Sequence, residues 1–184
     1  ESSRVGLVFF AGASFVQCPL TLDYGTADIF LKMAGPDMMS EQGTAIAAAL
    51  KSSRELLAKG NEGRETGGFQ AILLVTDGED LEAGGIDAAK KLAREGLVVH
   101  SIGVGTPAGG PITVISALGS PDTLKDSSGE EIRSRLDEET LTKVAEVTRG
   151  RFVRLGQAGE GMEALRLAIQ AGTDGTGATR RGVP

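Results

Sequence analysis

Two apolar strands separated by one helix constrain the fold of this chain more than any other feature. Residues 70–76 (QAILLVT) and 97–104 (LVVHSIGV) are apolar runs of strand length, and residues 86–95 between them form a short helix that Gly96 stops. Strands that are apolar on both faces are typical of parallel sheets with helices on both sides. The pattern therefore predicts an α/β fold with a doubly wound, mostly parallel sheet.

The beginning of the sequence adds a hairpin to this sheet. Residues 4–11 (RVGLVFFA) predict a buried strand, and Gly12 and Ala13 form a short break before the apolar run 14–20. That second run contains Pro19, which suits an edge strand because proline cannot donate a hydrogen bond to the ladder. We therefore expect residues 14–20 to be the antiparallel edge strand of the sheet.

The other segments alternate between helix and strand. They are a helix capped by Asp23 with Ala27, Phe30, Leu31 and Ala34 facing a core, a helix over residues 45–59, an irregular excursion over 105–136, a helix capped by Asp137 and ending at Arg149 and Gly150, a strand over 151–155 and a helix over 160–171. We expect one domain over residues 1–171 and a flexible tail rich in glycine over residues 172–184.

Composition excludes several classes of protein. The formal net charge of −6 argues against a nucleic-acid partner, because such proteins usually carry a basic face. A single cysteine, Cys18, excludes an internal disulfide, and a single histidine, His100, excludes a histidine-based metal cluster. The longest nearly apolar stretch, residues 5–13, is too short to span a bilayer.

Acidic residues follow the buried strand 70–76 directly. Open α/β sheets bind their ligands at the carboxyl ends of the strands, which places Asp77 well to hold a hard divalent cation. Glu79 and Asp80 would raise the local negative potential. The alternative for this loop is a solvated turn containing glycine.

A hydroxyl could reach the same edge of the sheet from a second loop. Thr44 follows Gly43 and immediately precedes the predicted helix over residues 45–59, so its hydroxyl is a candidate neutral oxygen ligand. The alternative is that Thr44 only caps this helix, a contribution of about 1 kcal/mol. One side chain could serve both roles.

Three other candidates favour structural interpretations. Residues 103–108 fit a G-x-G-x-x-A dinucleotide-binding pattern, but Gly109, Gly110 and Pro111 follow where its helix should begin, which favours a turn. Cys18 is expected to be a small buried thiol. His100 lies within an apolar strand and is expected to be a packed core residue.

The order of these segments resembles the von Willebrand factor A domain, and it is most similar to the bacterial Bat, or aerotolerance operon, subgroup. The segments that carry the resemblance are RVGLVFFAG, SFVQCPLTLDYGTADIF, QGTAIAAAL, AILLVTDGED, VVHSIGVGTPAGGPI and RSRLDEETLTKVAEVTRGRFVRL, which cover most of residues 4–156. The combination is far more selective than any one of these segments.

The resemblance implies a metal-ion-dependent adhesion site, built from a D-x-S-x-S loop, a Thr loop and an Asp loop, that holds Mg²⁺ or Mn²⁺. Thr44 and Asp77 match the last two loops, and an acidic side chain of a partner protein would complete the coordination. The resemblance also implies membrane anchoring through segments outside this chain, a periplasmic position and association with MoxR-type AAA+ ATPases.

This sequence contains no copy of D-x-S-x-S. The nearest string, residues 174–178, follows a helix and lacks the final hydroxyl. A cation held only by Thr44 and Asp77 would bind weakly. In the family, the strand that carries the motif lies in the middle of the sheet, between the strands predicted here over residues 4–11 and 70–76.

Loss of a central strand would leave main-chain groups unpaired at about 1 to 3 kcal/mol each, so we expect the gap to be filled. We consider an N-terminal segment beyond this sequence, a strand donated by another chain as in a swapped dimer, and direct pairing of the two flanking strands. We favour the first because it requires no change of fold.

Two functions remain. The first is a noncatalytic interaction module that grips an acidic side chain of a partner through the edge around Thr44 and Asp77, which agrees with the lack of a convincing acid/base or nucleophile arrangement. The second is a metal-dependent hydrolase or phosphotransferase in which Asp77 and a cation act on a phosphate. A second carboxylate at a strand end, with a lysine at the same edge, would favour the enzyme.

Overall fold

The structure is a computed structural model that describes residues 3–35, 38–39, 43–62, 68–79, 84–115, 119–125, 128–156 and 160–179. Its elements in chain order are β1 (Val5–Phe10), β2 (Ser14–Thr21), α1 (Tyr24–Lys32), α2 (Ile46–Gly60), β3 (Ala71–Thr76), α3 (Gly85–Arg94), β4 (Val98–Gly103), β5 (Gly110–Pro111), β6 (Thr113–Ile115), β7 (Pro121–Thr123), β8 (Arg133–Ser134), α4 (Glu138–Val147), β9 (Phe152–Arg154) and α5 (Glu160–Thr179). This order confirms the predicted α/β class.

The centre of the molecule is the parallel sheet β3-β4-β9. Its core face packs against α2, α3 and α4 through buried side chains such as Leu50, Leu74, Leu92 and Leu141. β4 is buried along nearly its whole length, as its mostly apolar sequence predicts. The small pairs β5-β8 and β6-β7 confirm that residues 105–136 form a local excursion.

β3 differs from the prediction that it is buried on both faces. Ile72 and Leu74 point into the core, but Leu73 and Val75 are 44% and 48% exposed. Successive strand residues point to opposite faces of a sheet, so Leu73 and Val75 share the face opposite the core cluster. In the part of the chain that the structure describes, this face of β3 is only partly covered.

β1 and β2 form the predicted antiparallel hairpin, with Phe10 opposite Ser14 across the turn. Within the described residues this hairpin is a sheet of its own, and β1 is not paired with β3. The suggestion that the two strands pair directly is therefore wrong for this structure. β2 pairs antiparallel with β1, as predicted, but within the described residues it does not form an edge of the parallel sheet β3-β4-β9.

α2 connects the hairpin to the parallel sheet. The Ala45 amide donates to the Ala11 carbonyl at 2.7 Å, so α2 starts beside the carboxyl end of β1. At the other end, Arg4 Nη1 donates to the Gly60 carbonyl at 2.6 Å, beside the amino end of β1. α2 thus runs antiparallel to β1, as in a crossover that leads to a parallel strand.

Two predicted helices differ in detail. Asp23 caps α1 by accepting from the Thr26 amide, as expected, but Leu31 is 56% exposed, because this part of the helix borders an open cleft and not a core. α5 continues to Thr179, so the structure has helix over residues 172–179, within the segment where the sequence predicts a flexible tail. Gly172 lies against Phe69, where a Cβ would come within 2.5 Å of the ring, and this close packing supports the longer helix.

The two residues expected to end α4, Arg149 and Gly150, follow the helix and differ from the usual pattern of a helix end. The Gly150 amide donates to the Ala145 carbonyl at 2.8 Å and the Arg149 amide to the Glu146 carbonyl at 3.0 Å, the pattern of a Schellman motif. The left-handed position, usually a glycine, is Arg149 with φ 61°. Gly150 is needed one residue later, where a Cβ would overlap the main-chain carbonyl of Val99.

Candidate functional site at the carboxyl edge of the sheet

Thr44 lies at the carboxyl end of β1. The hydrogen bond between Ala45 and Ala11 fixes this position, and Gly43 before it has φ 128°, a conformation that favours glycine. Ala45, not Thr44, occupies the N-cap of α2 and makes no side-chain capping bond. The interpretation of Thr44 as the helix cap is therefore wrong, since Thr44 stands one residue too early.

Asp77 immediately follows Thr76, the last residue of β3, and its carboxylate is held in place. Ser134 Oγ donates to Asp77 Oδ2 at 2.8 Å, and the Glu79 amide and the Thr76 hydroxyl contact Oδ1 at 3.3 and 3.4 Å. Asp77 is half-buried. The carboxylate is thus oriented by β8 at the carboxyl edge of the parallel sheet.

The same loop is also tied to the start of α4. The Asp137 amide donates to the Asp77 carbonyl at 2.8 Å, and the Arg135 amide donates to Glu79 Oε1 at 3.1 Å. Gly78, with φ 82°, brings the loop so close that a Cβ would lie 2.8 Å from the Asp137 carbonyl. The loop is therefore not merely a solvated turn; Asp80 lies outside the described residues.

Ser134 is a residue of the site that the sequence alone does not indicate. It lies in the irregular excursion 105–136, without helical or strand periodicity around it, and its partner Asp77 is far away in the sequence. Only the fold brings the two together. No pattern within this single sequence could have indicated the contact.

The oxygen ligands at this edge are of the type that a hard cation prefers, but they are few. Asp77, Ser134 and Thr44 offer carboxylate and hydroxyl oxygens, which Mg²⁺ and Mn²⁺ prefer. Among the described residues, however, no three histidine, cysteine or acidic side chains come together as a metal-binding group. A cation held only by Thr44 and Asp77 would therefore bind weakly, and their meeting around one ion stays a prediction.

The candidates for a nucleophile, a histidine-based site and a dinucleotide-binding loop have structural roles instead. Cys18 and His100 are 2% and 3% exposed, which confirms that both are core residues. His100 Nδ1 accepts from the Arg151 amide at 3.1 Å, and burial lowers the pKa of His100, as does the charge of Arg151. β4 ends at Gly103, and the Gly109 amide donates to the Thr106 carbonyl, so the glycine-rich segment is a turn, as predicted.

The model of the von Willebrand factor type A domain matches residues 1–153. This chain belongs to the von Willebrand factor type A domain family. The match includes both Thr44 and Asp77 and confirms the family resemblance of the sequence.

The chain is similar to two solved structures of Bat or aerotolerance-related proteins. BatB, a conserved hypothetical protein from Bacteroides thetaiotaomicron, is 35% identical with a TM-score of 0.84, over 95% of this chain and 81% of that one. An aerotolerance-related membrane protein from Bacteroides fragilis NCTC 9343 is 34% identical with a TM-score of 0.81, over 93% of this chain and 81% of that one.

A more distant structure shares the fold. Proximal thread matrix protein 1 from the mussel byssus, with a zinc-occupied MIDAS motif, is 21% identical with a TM-score of 0.57, over 90% of this chain and 35% of that one. Among curated proteins, none matches this chain. In the described part of this chain, no helix has both the length and the apolar composition to cross a bilayer.

Proposed function

We propose that this von Willebrand factor A domain is a noncatalytic interaction module that binds an acidic side chain of a partner protein through a divalent cation. Thr44 and Asp77 are the ligands that this chain contributes, and the cation is Mg²⁺ or Mn²⁺. The cation is a Lewis acid that accepts a carboxylate oxygen from the partner. Ser134 is a positioning residue that orients the Asp77 carboxylate.

The placement of Asp77 is the observation that carries this proposal. Its carboxylate lies at the carboxyl end of a parallel strand, where open α/β sheets bind their ligands, and a serine hydroxyl at 2.8 Å fixes its orientation. Residues that orient a metal ligand typically affect metal affinity about 10- to 100-fold. The zinc-occupied motif of the mussel protein supports a metal site in this fold.

The described contacts of Asp77 do not favour the enzyme alternative. They come from hydroxyls and main-chain amides, and not from a second carboxylate and a lysine. We propose further that the domain is anchored to a membrane by segments outside this chain, faces the periplasm and acts with a MoxR-type AAA+ ATPase. The membrane protein from Bacteroides fragilis supports the first of these points.

A cation titration tests the metal ligands. Mn²⁺ added to the full chain should broaden the NMR signals of residues near Gly43 and Asp77, with weak affinity, on the order of millimolar. Asp77→Asn should remove this effect. Asp87→Asn, which changes an exposed acid of α3 paired with Lys90, is the matched control and should leave it unchanged. Micromolar binding by this chain alone, or broadening that Asp77→Asn does not alter, would contradict the assignment.

A binding experiment tests the partner. Purified MoxR-type ATPase should bind the intact protein in Mg²⁺ and dissociate when a chelator is added. Asp77→Asn should abolish this binding, whereas Asp87→Asn should bind as the unmodified protein does. Binding that survives both the chelator and Asp77→Asn would show that the contact lies elsewhere on the domain.

A further inference from the structure

A groove of about 740 Å³ lies between α2 and α3. Each helix leads from the carboxyl edge of the sheet toward its amino edge, so the two helices run side by side in the same direction. The lining residues of α2 extend from Ala47 to Arg54, about 10 Å along the helix axis. Those of α3 extend from Gly84 to Glu95, about 16 Å. The groove is therefore as long as two to three turns of a helix.

The floor of the groove is apolar. Leu50 and Leu92 contribute to it and are buried. Ala47, Ala48 and Ala88 also line it, and each of them is partly exposed. The distance between packed helices depends on the side chains at the contact, so small side chains allow a third helix to approach closely. This floor suits the apolar stripe of a helix better than it suits a small hydrated ion.

Basic side chains lie along both sides of the groove. α2 contributes Lys51 and Arg54, and α3 contributes Lys91 and Arg94. On each helix the two basic residues are three positions apart, which places them on the same face, about 4.5 Å apart along the axis. The groove thus has two rows of positive charge, on a chain whose formal net charge is −6.

The acidic residues of the groove compensate only part of this positive charge. Glu95 pairs with Arg54 at 2.5 Å and connects α3 to α2 at one end of the groove. Asp87 pairs with Lys90 at 2.8 Å, and Lys90 does not line the groove. Three exposed basic side chains of the groove form no ion pair with any residue that the structure describes: Lys51, Lys91 and Arg94.

We infer that this groove binds an acidic amphipathic helix of a partner protein. The apolar stripe of that helix packs on the alanine floor, and its carboxylates pair with Lys51 on one side and with Lys91 and Arg94 on the other. Docking of an amphipathic helix in a groove is a common mode of recognition. Opposite charges also speed the association of the two proteins, an effect that salt weakens. The inference is independent of the proposed metal site, because neither Thr44 nor Asp77 lines the groove.

A synthetic acidic peptide tests this inference on the full chain. The peptide is a helix of about fourteen residues, with a stripe of alanine and leucine flanked on both sides by glutamate. Its control has glutamine in place of every glutamate. In NMR titrations at low salt, the acidic peptide should shift the amide signals of Ala47, Ala48 and Ala88, with a Kd at least about tenfold lower than that of the control. Equal Kd values, or shifts that leave out these alanines, would overturn the inference.

Two charge reversals on α2 test which side chains make the contact. Lys51→Glu changes a residue of the groove, whereas Lys59→Glu changes an exposed lysine of the same helix that does not line it. Both variants change the net charge equally, so a general electrostatic effect would be the same in both. Lys51→Glu should raise the Kd of the acidic peptide about tenfold, and Lys59→Glu less than about twofold. Equal effects of the two variants would show that the groove is not the binding site.

Other occupants of the groove would give different results. An anionic membrane is too flat to enter the groove, so it would meet the basic side chains without contacting the alanines. Vesicles of phosphatidylglycerol that bind the chain through Lys51, with no binding of the acidic peptide, would assign this surface to a membrane. Self-association that Lys51→Glu prevents, again with no binding of the peptide, would assign it to a second copy of the chain. Either result would overturn the inference.

Discussion

Gly150 provides a sharp test of how the end of α4 packs on the central strand. A Cβ at this position would overlap the carbonyl oxygen of Val99 and lie 2.6 Å from its carbonyl carbon. Both atoms belong to the main chain of β4, and Val99 is fully buried. No side-chain rotation can relieve this overlap, so Gly150→Ala must push the turn after α4 away from the sheet.

The cost follows from the contacts that this movement would strain. Thr148 Oγ1 accepts from the Val99 amide at 2.9 Å, and its own proton has the Ala145 carbonyl at 2.9 Å as its nearest acceptor. Losing the buried hydrogen bond from the Val99 amide costs about 1 kcal/mol, and overpacking a core adds about 1 to 3 kcal/mol. Gly150→Ala should therefore lower the free energy of unfolding by about 2 to 4 kcal/mol, a large part of a typical domain's stability of about 5 to 15 kcal/mol.

Urea unfolding of the full chain, followed by circular dichroism, measures this change. Gly68→Ala is the matched control, because no atom of the described residues, apart from its chain neighbours, lies within 4 Å of a Cβ built there. We expect this control to change the free energy of unfolding by less than about 1 kcal/mol, since it also restricts the unfolded chain slightly. If Gly150→Ala and Gly68→Ala differ by less than about 1 kcal/mol, the close approach to β4 does not exist in solution and the reasoning fails.

Three further predictions concern single residues. Because the pKa of His100 is lowered in the folded state, the unfolded chain binds a proton first as the pH falls, and the free energy of unfolding should decrease below about pH 6.5. In urea titrations at several pH values, His100→Asn should reduce this dependence of the free energy of unfolding on pH. Arg149→Gly should raise the free energy of unfolding by up to about 1 kcal/mol, and with it the Tm, because glycine adopts φ 61° without strain. An unchanged or lower Tm would contradict this. Ser134→Ala should cost about 1 kcal/mol and speed hydrogen exchange at the Glu79 amide, whereas unchanged exchange there would show that Ser134 does not hold the loop.

Features with local causes could be predicted from the sequence. Asp23 and Asp137 each cap a helix by accepting from an amide a few residues ahead, and such spacing is visible in the sequence itself. The burial of β4 is equally evident from its sequence. The same reasoning fails for β1, which is only partly buried, and for β3, where Leu73 and Val75 are about half exposed. Asp77 was identified for a similar reason, since it directly follows such a strand.

Features that depend on distant contacts could not be predicted. Gly150 was expected to end α4, but glycine is required there because the Val99 carbonyl of β4 leaves no room for a Cβ. The extension of α5 past Gly172 likewise depends on contact with Phe69, which lies before β3. In both cases the local sequence suggests that the glycine breaks a helix. In the structure, the glycine lies where two elements approach each other closely.

The burial of Cys18 makes this domain suitable for thiol labelling experiments. Cys18 is the single cysteine of the sequence, is 2% exposed and lies opposite Leu7 of β1. A thiol reagent can reach it only when the hairpin opens, since buried thiols react slowly. The labelling rate of the unmodified chain therefore reports how often the hairpin of β1 and β2 opens, without any engineered probe.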